Sequence, residues 1–240
     1  MSNAASMRGR AWRALNSRLR RRIGSPRIRS PGIRSPRIGS NSSKHGILVP
    51  MARPRQFDED RAVDAAMRAF WTAGYEATST QDLCAATGLG RSSIYNTFVS
   101  KRELFDRALR RYMAVKNVDL FALLAEPGPA REKLHTLVRR AADPPADDPA
   151  GCLVVNSLVE LAPRDAEIAA TLRADEDRRL DALVATIERA QRDGEIEAGR
   201  DARALAHFVV ATIGGLRVAA RGGADRATLA AIADTALRCL

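Results

Sequence analysis

Between Thr78 and Phe105 the chain carries two short amphipathic segments, a glycine between them and the start of a third helix, and this spacing leaves few folds open. Ser79 can cap the first segment, which sends Leu83 and Ala86 inward, and Gly88 supplies the positive φ that an abrupt break between helices demands. The second segment starts near Gly90. Its Ile94 and Phe98, four residues apart, dock inward and leave Arg91, Ser92, Ser93, Asn96 and Thr97 as short or cationic groups on the outer face. Ser100 and Glu103 have the spacing of a capping box that opens the next helix. Two helices meeting at a sharp turn, with a polar strip on the second, form a helix-turn-helix, whose second helix fits the major groove of a DNA duplex.

The rest of the chain is consistent with that unit. Its 240 residues allow one or two domains, and 45% hydrophobic residues suffice for a sizeable core. No stretch approaches the roughly 20 apolar residues that a membrane span requires, and the first 50 residues lack the apolar run of a secretory signal. No membrane partner is expected. Cys84, Cys152 and Cys239 are odd in number and contain no Cys-x-x-Cys pair, which fits a reducing cytoplasm better than a disulfide framework.

The formal charge of +11 is informative mainly through its location. Residues 1–50 hold twelve Lys or Arg and no acid, which leaves 27 bases against 28 acids in the remainder. Residues 51–116 hold 11 bases and 8 acids, whereas residues 117–240 hold 16 and 20, as expected if the first of these segments touches phosphates.

Residues 1–50 read as a disordered basic arm. A five-residue Arg-Ser-Pro-type repeat spans residues 24–38, proline in every repeat forbids a helix, and scattered isoleucines cannot build a core. Such a stretch serves as a non-specific DNA-binding arm, as an organellar transit peptide, or as residues upstream of a biological start at Met51.

From Met51 on, the periodicity is helical throughout and the expected fold class is all-α. Asp58 can cap a helix to about Ala73, with Val63, Ala66, Met67, Phe70 and Trp71 on its core stripe and Gly74 as its stop. The helix begun at Ser100 runs to roughly Leu124, ahead of Pro127, Gly128 and Pro129. Further helices are expected over 131–142, 152–161, 165–192, 201–220 and from Asp225 to the end. No alternating run bounded by turns suggests a sheet.

Over residues 52–105 the chain resembles the TetR family of transcriptional regulators. The resemblance rests on Gly74-Tyr75, Thr78-Ser79-Thr80, Ala85-Ala86-Thr87-Gly88-Leu89, Ser93-Ile94-Tyr95-Asn96-Thr97-Phe98 and Ser100-Lys101 in that order. It implies a DNA-binding domain over 51–100 and a helical ligand-binding and dimerisation domain over 101–240. It also implies that Tyr95 and Lys101 hold phosphates, aided by Thr78, Ser79 and Thr80 where the helix amides attract anions. Arg91, Ser92, Ser93 and Asn96 are the candidates for base edges, with Thr97 beside them, and Arg53 and Arg55 could enter the minor groove.

The expected partners are a double-stranded DNA operator, a second copy of the chain and a small-molecule inducer. A pocket is expected among the linking helix and the helices after it, with Asn156 and Glu160 as the polar groups most able to point inward and His135 and Arg139 next. Cys152, at the start of a helix, is a candidate sensor of electrophiles or oxidants. Leu205, Phe208, Val209, Thr212, Ile213, Leu216 and Ala220 form a stripe on the penultimate helix, where Gly214-Gly215 permits close approach, and Leu229, Ile232, Ala233, Ala236 and Leu237 do so on the last. Two such helices pairing with their two-fold copies make a four-helix interface. An enzyme is disfavoured, because residues 51–240 contain only His135 and His207, no Gly-x-Ser-x-Gly elbow and no phosphate-binding glycine loop, and no cofactor is implied. A helical adaptor that never touches DNA is the other rival.

Overall fold

Where the chain can no longer continue its backbone ladder determines the order of its elements. The computed structural model describes residues 55–240, with side chains from Glu59 onward; the Arg- and Pro-rich arm and Arg53 lie outside the described residues. Among the described residues there are nine helices and no strand: α1 Arg55–Ala73, α2 Thr80–Thr87, α3 Arg91–Phe98, α4 Lys101–Ala125, α5 Ala130–Ala142, α6 Leu153–Glu160, α7 Ala166–Arg192, α8 Ala202–Arg221 and α9 Arg226–Leu237. The all-α expectation holds.

Local chemistry explains the boundaries and corrects several expectations. α1 begins at Arg55, ahead of the cap expected at Asp58. Acidic residues favour both the cap and the first turn, so they locate a helix start only to within a turn. The reciprocal capping box expected at Ser100 and Glu103 is instead found at α2, where Ser79 Oγ accepts from the Asp82 amide at 3.1 Å and the Asp82 carboxylate accepts from the Ser79 amide at 2.8 Å. At α4, Ser100 Oγ does accept from the Glu103 amide at 3.0 Å, but the Glu103 carboxylate turns to Arg107, 2.8 Å away. A guanidinium one turn along offers it a charge-assisted partner. Gly88 takes φ 70° as its position requires, whereas Ala86 is exposed and half-buried Cys84 joins Leu83 on the inner face of α2. In an eight-residue helix anchored by one leucine, Ala86 falls on the flank.

Two cores form. The first is aromatic and gathers Phe70, Trp71, Ile94, Phe98, Phe105 and Tyr112 from α1, α3 and α4, and it continues into Leu153 of α6 and Ile168 and Leu172 of α7. Phe70 meets Phe105 edge-on at 5.1 Å, and Trp71 meets Tyr112 at 4.9 Å, geometries that suit the ring quadrupoles. The second core is aliphatic, built from Leu120, Leu134, Val138, Leu183, Ile187, Val209, Leu216 and Leu237 of α4, α5, α7, α8 and α9. Along α4, Asn117 stands between Met113 of the first core and Leu120 of the second; along α7, Asp175 stands between Leu172 and Leu180. The two side chains meet at 2.6 Å, both buried, and Arg178 closes on the same carboxylate oxygen at 3.0 Å. A buried carboxylate is tolerable only with such partners.

One helix departs from the hydropathy expectation. By length and composition α8 is apolar enough to cross a membrane, with a mean hydropathy of 1.3 over its best stretch, only 22% of which is buried. Leu205, Val209 and Leu216 face the core, while Phe208 and Val218 face outward, so the helix is apolar on two sides.

Candidate nucleic-acid interface

The outer face of α3 is built by what lies beneath it. Ile94 is 1% and Phe98 0% exposed, and these anchors orient Arg91, Ser92, Ser93, Asn96 and Thr97 so that all five are exposed. Gly90 precedes the helix in extended conformation without a side-chain cap, so the first amides of α3 are free of local side-chain partners. At the far end Val99 adopts φ 59° while 73% exposed, an uncommon conformation for a β-branched residue, in the turn into α4.

Tyr95 lies at the edge of this face. Its hydroxyl is 3.2 Å from Thr80 Oγ1 at the start of α2, and the Arg91 guanidinium is 5.8 Å from its ring centroid. The hydrogen bond to Thr80, with a smaller contribution from Arg91, holds the phenol below the usual tyrosine range. The two hydroxyls thus bring the N-terminus of α2 and the middle of α3 to one edge, the arrangement that a phosphate oxygen can bridge. Lys101 sits at the start of α4 with Nζ 4.4 Å from the Tyr75 ring centroid and 3.5 Å from the Glu76 carbonyl, so its ammonium is held in place before any anion arrives. Arg55 is the first residue of α1.

Two expected phosphate ligands are otherwise engaged. Thr78 is buried, and its hydroxyl donates to the Gly74 carbonyl at 2.6 Å, which closes the turn between α1 and α2. Ser79 Oγ donates to the Asp82 carboxylate at 2.6 Å while accepting the Asp82 amide. That carboxylate, held below its ordinary range by the Ser79 hydroxyl and amide, places a negative charge in the first turn of α2. At this edge Thr80, Tyr95 and Lys101 therefore carry the side-chain chemistry.

The expected ligand residues do not converge on a common site. His135 is half-buried on α5 with Nε2 unpartnered, and burial, with Arg131 and Arg139 close by, pushes its imidazolium pKa down. Arg139 is exposed and reaches Asp234 of α9 at 3.5 Å. Cys152 Sγ accepts from the Tyr112 hydroxyl at 3.4 Å. Asn156 and Glu160, expected to point into a pocket, turn to α1 instead: Asn156 donates to the Trp71 carbonyl at 3.4 Å, and Glu160 accepts from the amides of Tyr75 and Glu76. Unsatisfied backbone groups at the end of α1 provide partners that an apolar pocket would lack. Periodicity did not point to Asn117, Asp175 or Lys133, whose ammonium is buried against the Leu124 carbonyl at 3.2 Å, because a polar residue within an amphipathic helix reads as surface. Among the described residues no group of three or more His, Cys, Asp or Glu is placed to hold a metal.

A capped helix, a sharp glycine turn, a short helix whose polar strip rides on two buried anchors and a 25-residue linking helix form a helix-turn-helix whose outer strip is shaped for a DNA groove. The chain matches the family model of bacterial regulatory proteins, tetR family, over residues 62–108 and that of the tetracyclin repressor-like C-terminal domain over residues 126–236. It is 36% identical over 194 residues to the HTH-type transcriptional repressor ComR of Escherichia coli (strain K12), covering 78% of this chain and 90% of that protein. It is 31% identical over 162 residues to the HTH-type transcriptional regulator YezE of Bacillus subtilis (strain 168), covering 66% of this chain and 84% of that one. Among solved structures, a cysteine mutant of the TetR family regulator CifR in complex with 26-bp double-strand operator DNA superposes with a TM-score of 0.69 at 31% identity, covering 78% of this chain and 98% of that one. The chain belongs to the TetR family and is a DNA-binding transcriptional regulator, not an enzyme.

Proposed function

We propose that the protein is a homodimeric repressor that occupies a pseudo-palindromic operator in double-stranded DNA and is released by a small-molecule inducer. The observation that carries the reading is the outward strip of α3 over buried Ile94 and Phe98. In it, residues 51–100 read DNA and residues 101–240 pair and sense. Arg91 and Asn96 reach base edges with Ser92, Ser93 and Thr97 beside them, Tyr95, Thr80 and Lys101 hold phosphates, and Arg53 and Arg55 approach the minor groove. Repression is the outcome named for ComR, and an operator complex is what was solved for CifR. The protein acts in the cytoplasm, where its operator is.

The second copy covers the outward apolar face of α8 and α9, where Phe208, Val218 and Ile232 are 37%, 56% and 39% exposed. A Cβ at Gly214 or Gly215 would meet nothing within 4 Å in the chain itself, which leaves room for a partner helix. The inducer binds among the linking helix α4 and the helices α5 to α7. Each tenfold loss of operator affinity requires about 1.4 kcal/mol of differential binding between the two dimer states. A second reading has an electrophile or oxidant act at Cys152, whose thiol lies against the Tyr112 phenol; the relatives solved as CifR operator complexes carry cysteine substitutions. Burial pushes the Tyr112 pKa up, so the phenol stays a neutral donor to that sulfur. Alkylation of Cys152 without release of DNA, or normal induction of Cys152→Ser, excludes that second reading.

The test of the main reading is to titrate purified protein against genomic fragments, sequence those retained, and repeat the titration at rising salt. A regulator retains a small set of related inverted repeats with a steep salt dependence; equal retention of every fragment, or of none, refutes it.

A further inference from the structure

The turn that follows α1 is gripped from two sides by the other half of the chain. Glu160, the last residue of α6, accepts from the Tyr75 amide at 3.0 Å through Oε2 and from the Glu76 amide at 2.8 Å through Oε1. Arg221, the last residue of α8, donates through Nη1 to the carbonyls of Trp71 and Thr72, each at 3.3 Å. One turn before Glu160, Asn156 adds its own donation to the Trp71 carbonyl.

The chemistry of a helix end makes this grip directional. The last carbonyls of α1 and the amides beyond it lack intrahelical partners and carry opposite partial charge. A guanidinium meets the carbonyls and a carboxylate the amides, so both contacts are charge-assisted. Gly74 makes the approach possible: it has φ 93°, and a Cβ there would stand 2.9 Å from Glu160 Oε2. The gripped turn leads directly into α2, so its position sets the positions of α2 and α3. At the other end of the grip, α8 bears the outward Phe208 and Val218 assigned above to the second copy.

We propose that Glu160 and Arg221 are positioning residues for operator binding: they fasten the end of α1 to α6 and α8, so that the distance between the two α3 helices of a dimer is set by this clasp as well as by α4. The inference rests on the dimeric reading above. Neither side chain lies on the outward strip of α3; they act through the placement of the helices they hold.

The experiment uses the full chain and duplexes bearing the two half-sites recovered from the retained fragments, at native spacing and with one or two base pairs inserted or removed. Glu160→Gln removes charge with little change of shape, and Arg221→Gln removes the charge together with the reach to the Trp71 and Thr72 carbonyls. Each variant is expected to lose about tenfold in affinity at native spacing, in keeping with the loss of a charged hydrogen bond. Its preference for native over altered spacing shrinks by a similar factor while binding to a single half-site stays at the wild-type value, and the thermal midpoint falls by about 2–4 °C with the lost contact. The double variant loses less than the product of the two, because both act on one turn. Gly74→Ala, which displaces the carboxylate from the other side, gives the same loss of spacing preference. Variants that keep the full spacing preference overturn the inference. So does a fall in half-site affinity as large as the fall at native spacing, which makes the contacts a helix cap only. A wild-type protein without any spacing preference overturns the dimeric reading itself.

Discussion

α3 and α6 are both eight residues long, too short to persist alone, yet they use their polar side chains in opposite ways. α3 is held by Ile94 and Phe98, and its Arg, Ser, Asn and Thr side chains are left to solvent. α6 is anchored by Leu153 and Ser157, turns Asn156 and Glu160 onto α1, and leaves Leu158 and Val159 49% and 73% exposed. A polar face is free to bind a partner only where the hydrophobic anchors alone suffice to hold the helix. Where neighbouring backbone groups need partners, the polar residues become part of the scaffold and the apolar ones end up outside.

The sharpest way to break this contrast is to remove an anchor. Phe98→Ala should cost about 3–5 kcal/mol in urea unfolding and abolish specific retention of DNA. Ser157→Ala, which loses only a 2.7 Å bond to the Leu153 carbonyl in its own helix, should cost about 1 kcal/mol or less. Next in size, Arg91→Ala should weaken operator binding by about 1–3 kcal/mol in gel-shift titration. Its thermal midpoint should not change, and Val159→Ser on α6 should alter neither quantity. Val99→Gly should stabilise by about 1 kcal/mol and raise the midpoint by about 2–4 °C in calorimetry, because at φ 59° and ψ −45° only a residue without a Cβ is unstrained.

The smallest effect is a pH dependence at the joint between α4 and α7. Asp165 caps α7 through the Ile168 amide and pairs with Arg102, and those contacts, the amide first, hold its carboxyl below the ordinary range. A carboxyl whose folded pKa is depressed contributes stability that is fully present above the unfolded value of about 4 and is lost as pH falls through the folded one. Thermal midpoints from pH 6 down to pH 2 should therefore fall less steeply below about pH 4 in Asp165→Asn than in the wild type. Equal slopes would remove Asp165 from the acid response.

Much of this was legible in the sequence wherever a short-range rule applied. Gly74, Gly88 and the Ile94–Phe98 pair placed the turns and the outward strip, since caps, breakers and four-residue spacing act within a helix turn or two. The partners of individual polar groups were not legible. The Glu103 carboxylate chose Arg107 over the cap of α4, Thr78 closed a turn from inside, and Asn156 and Glu160 turned away from the expected pocket. Asn117 and Asp175 meet from helices 58 residues apart. Nothing local marks a polar residue as buried when its partner comes from a distant helix.

Sequence by itself determined that the chain is helical, where its helices break, and which residues of α3 face outward, because hydrophobic periodicity and glycine stereochemistry are local properties of the chain. Only the tertiary structure decided that the aromatic core runs from α1 through α4 into α6 and α7, and that the end of α1 is held by Glu160 and Arg221. Those contacts depend on unsatisfied backbone groups and opposite charges meeting across more than 80 residues of chain, and it is packing that brings them together.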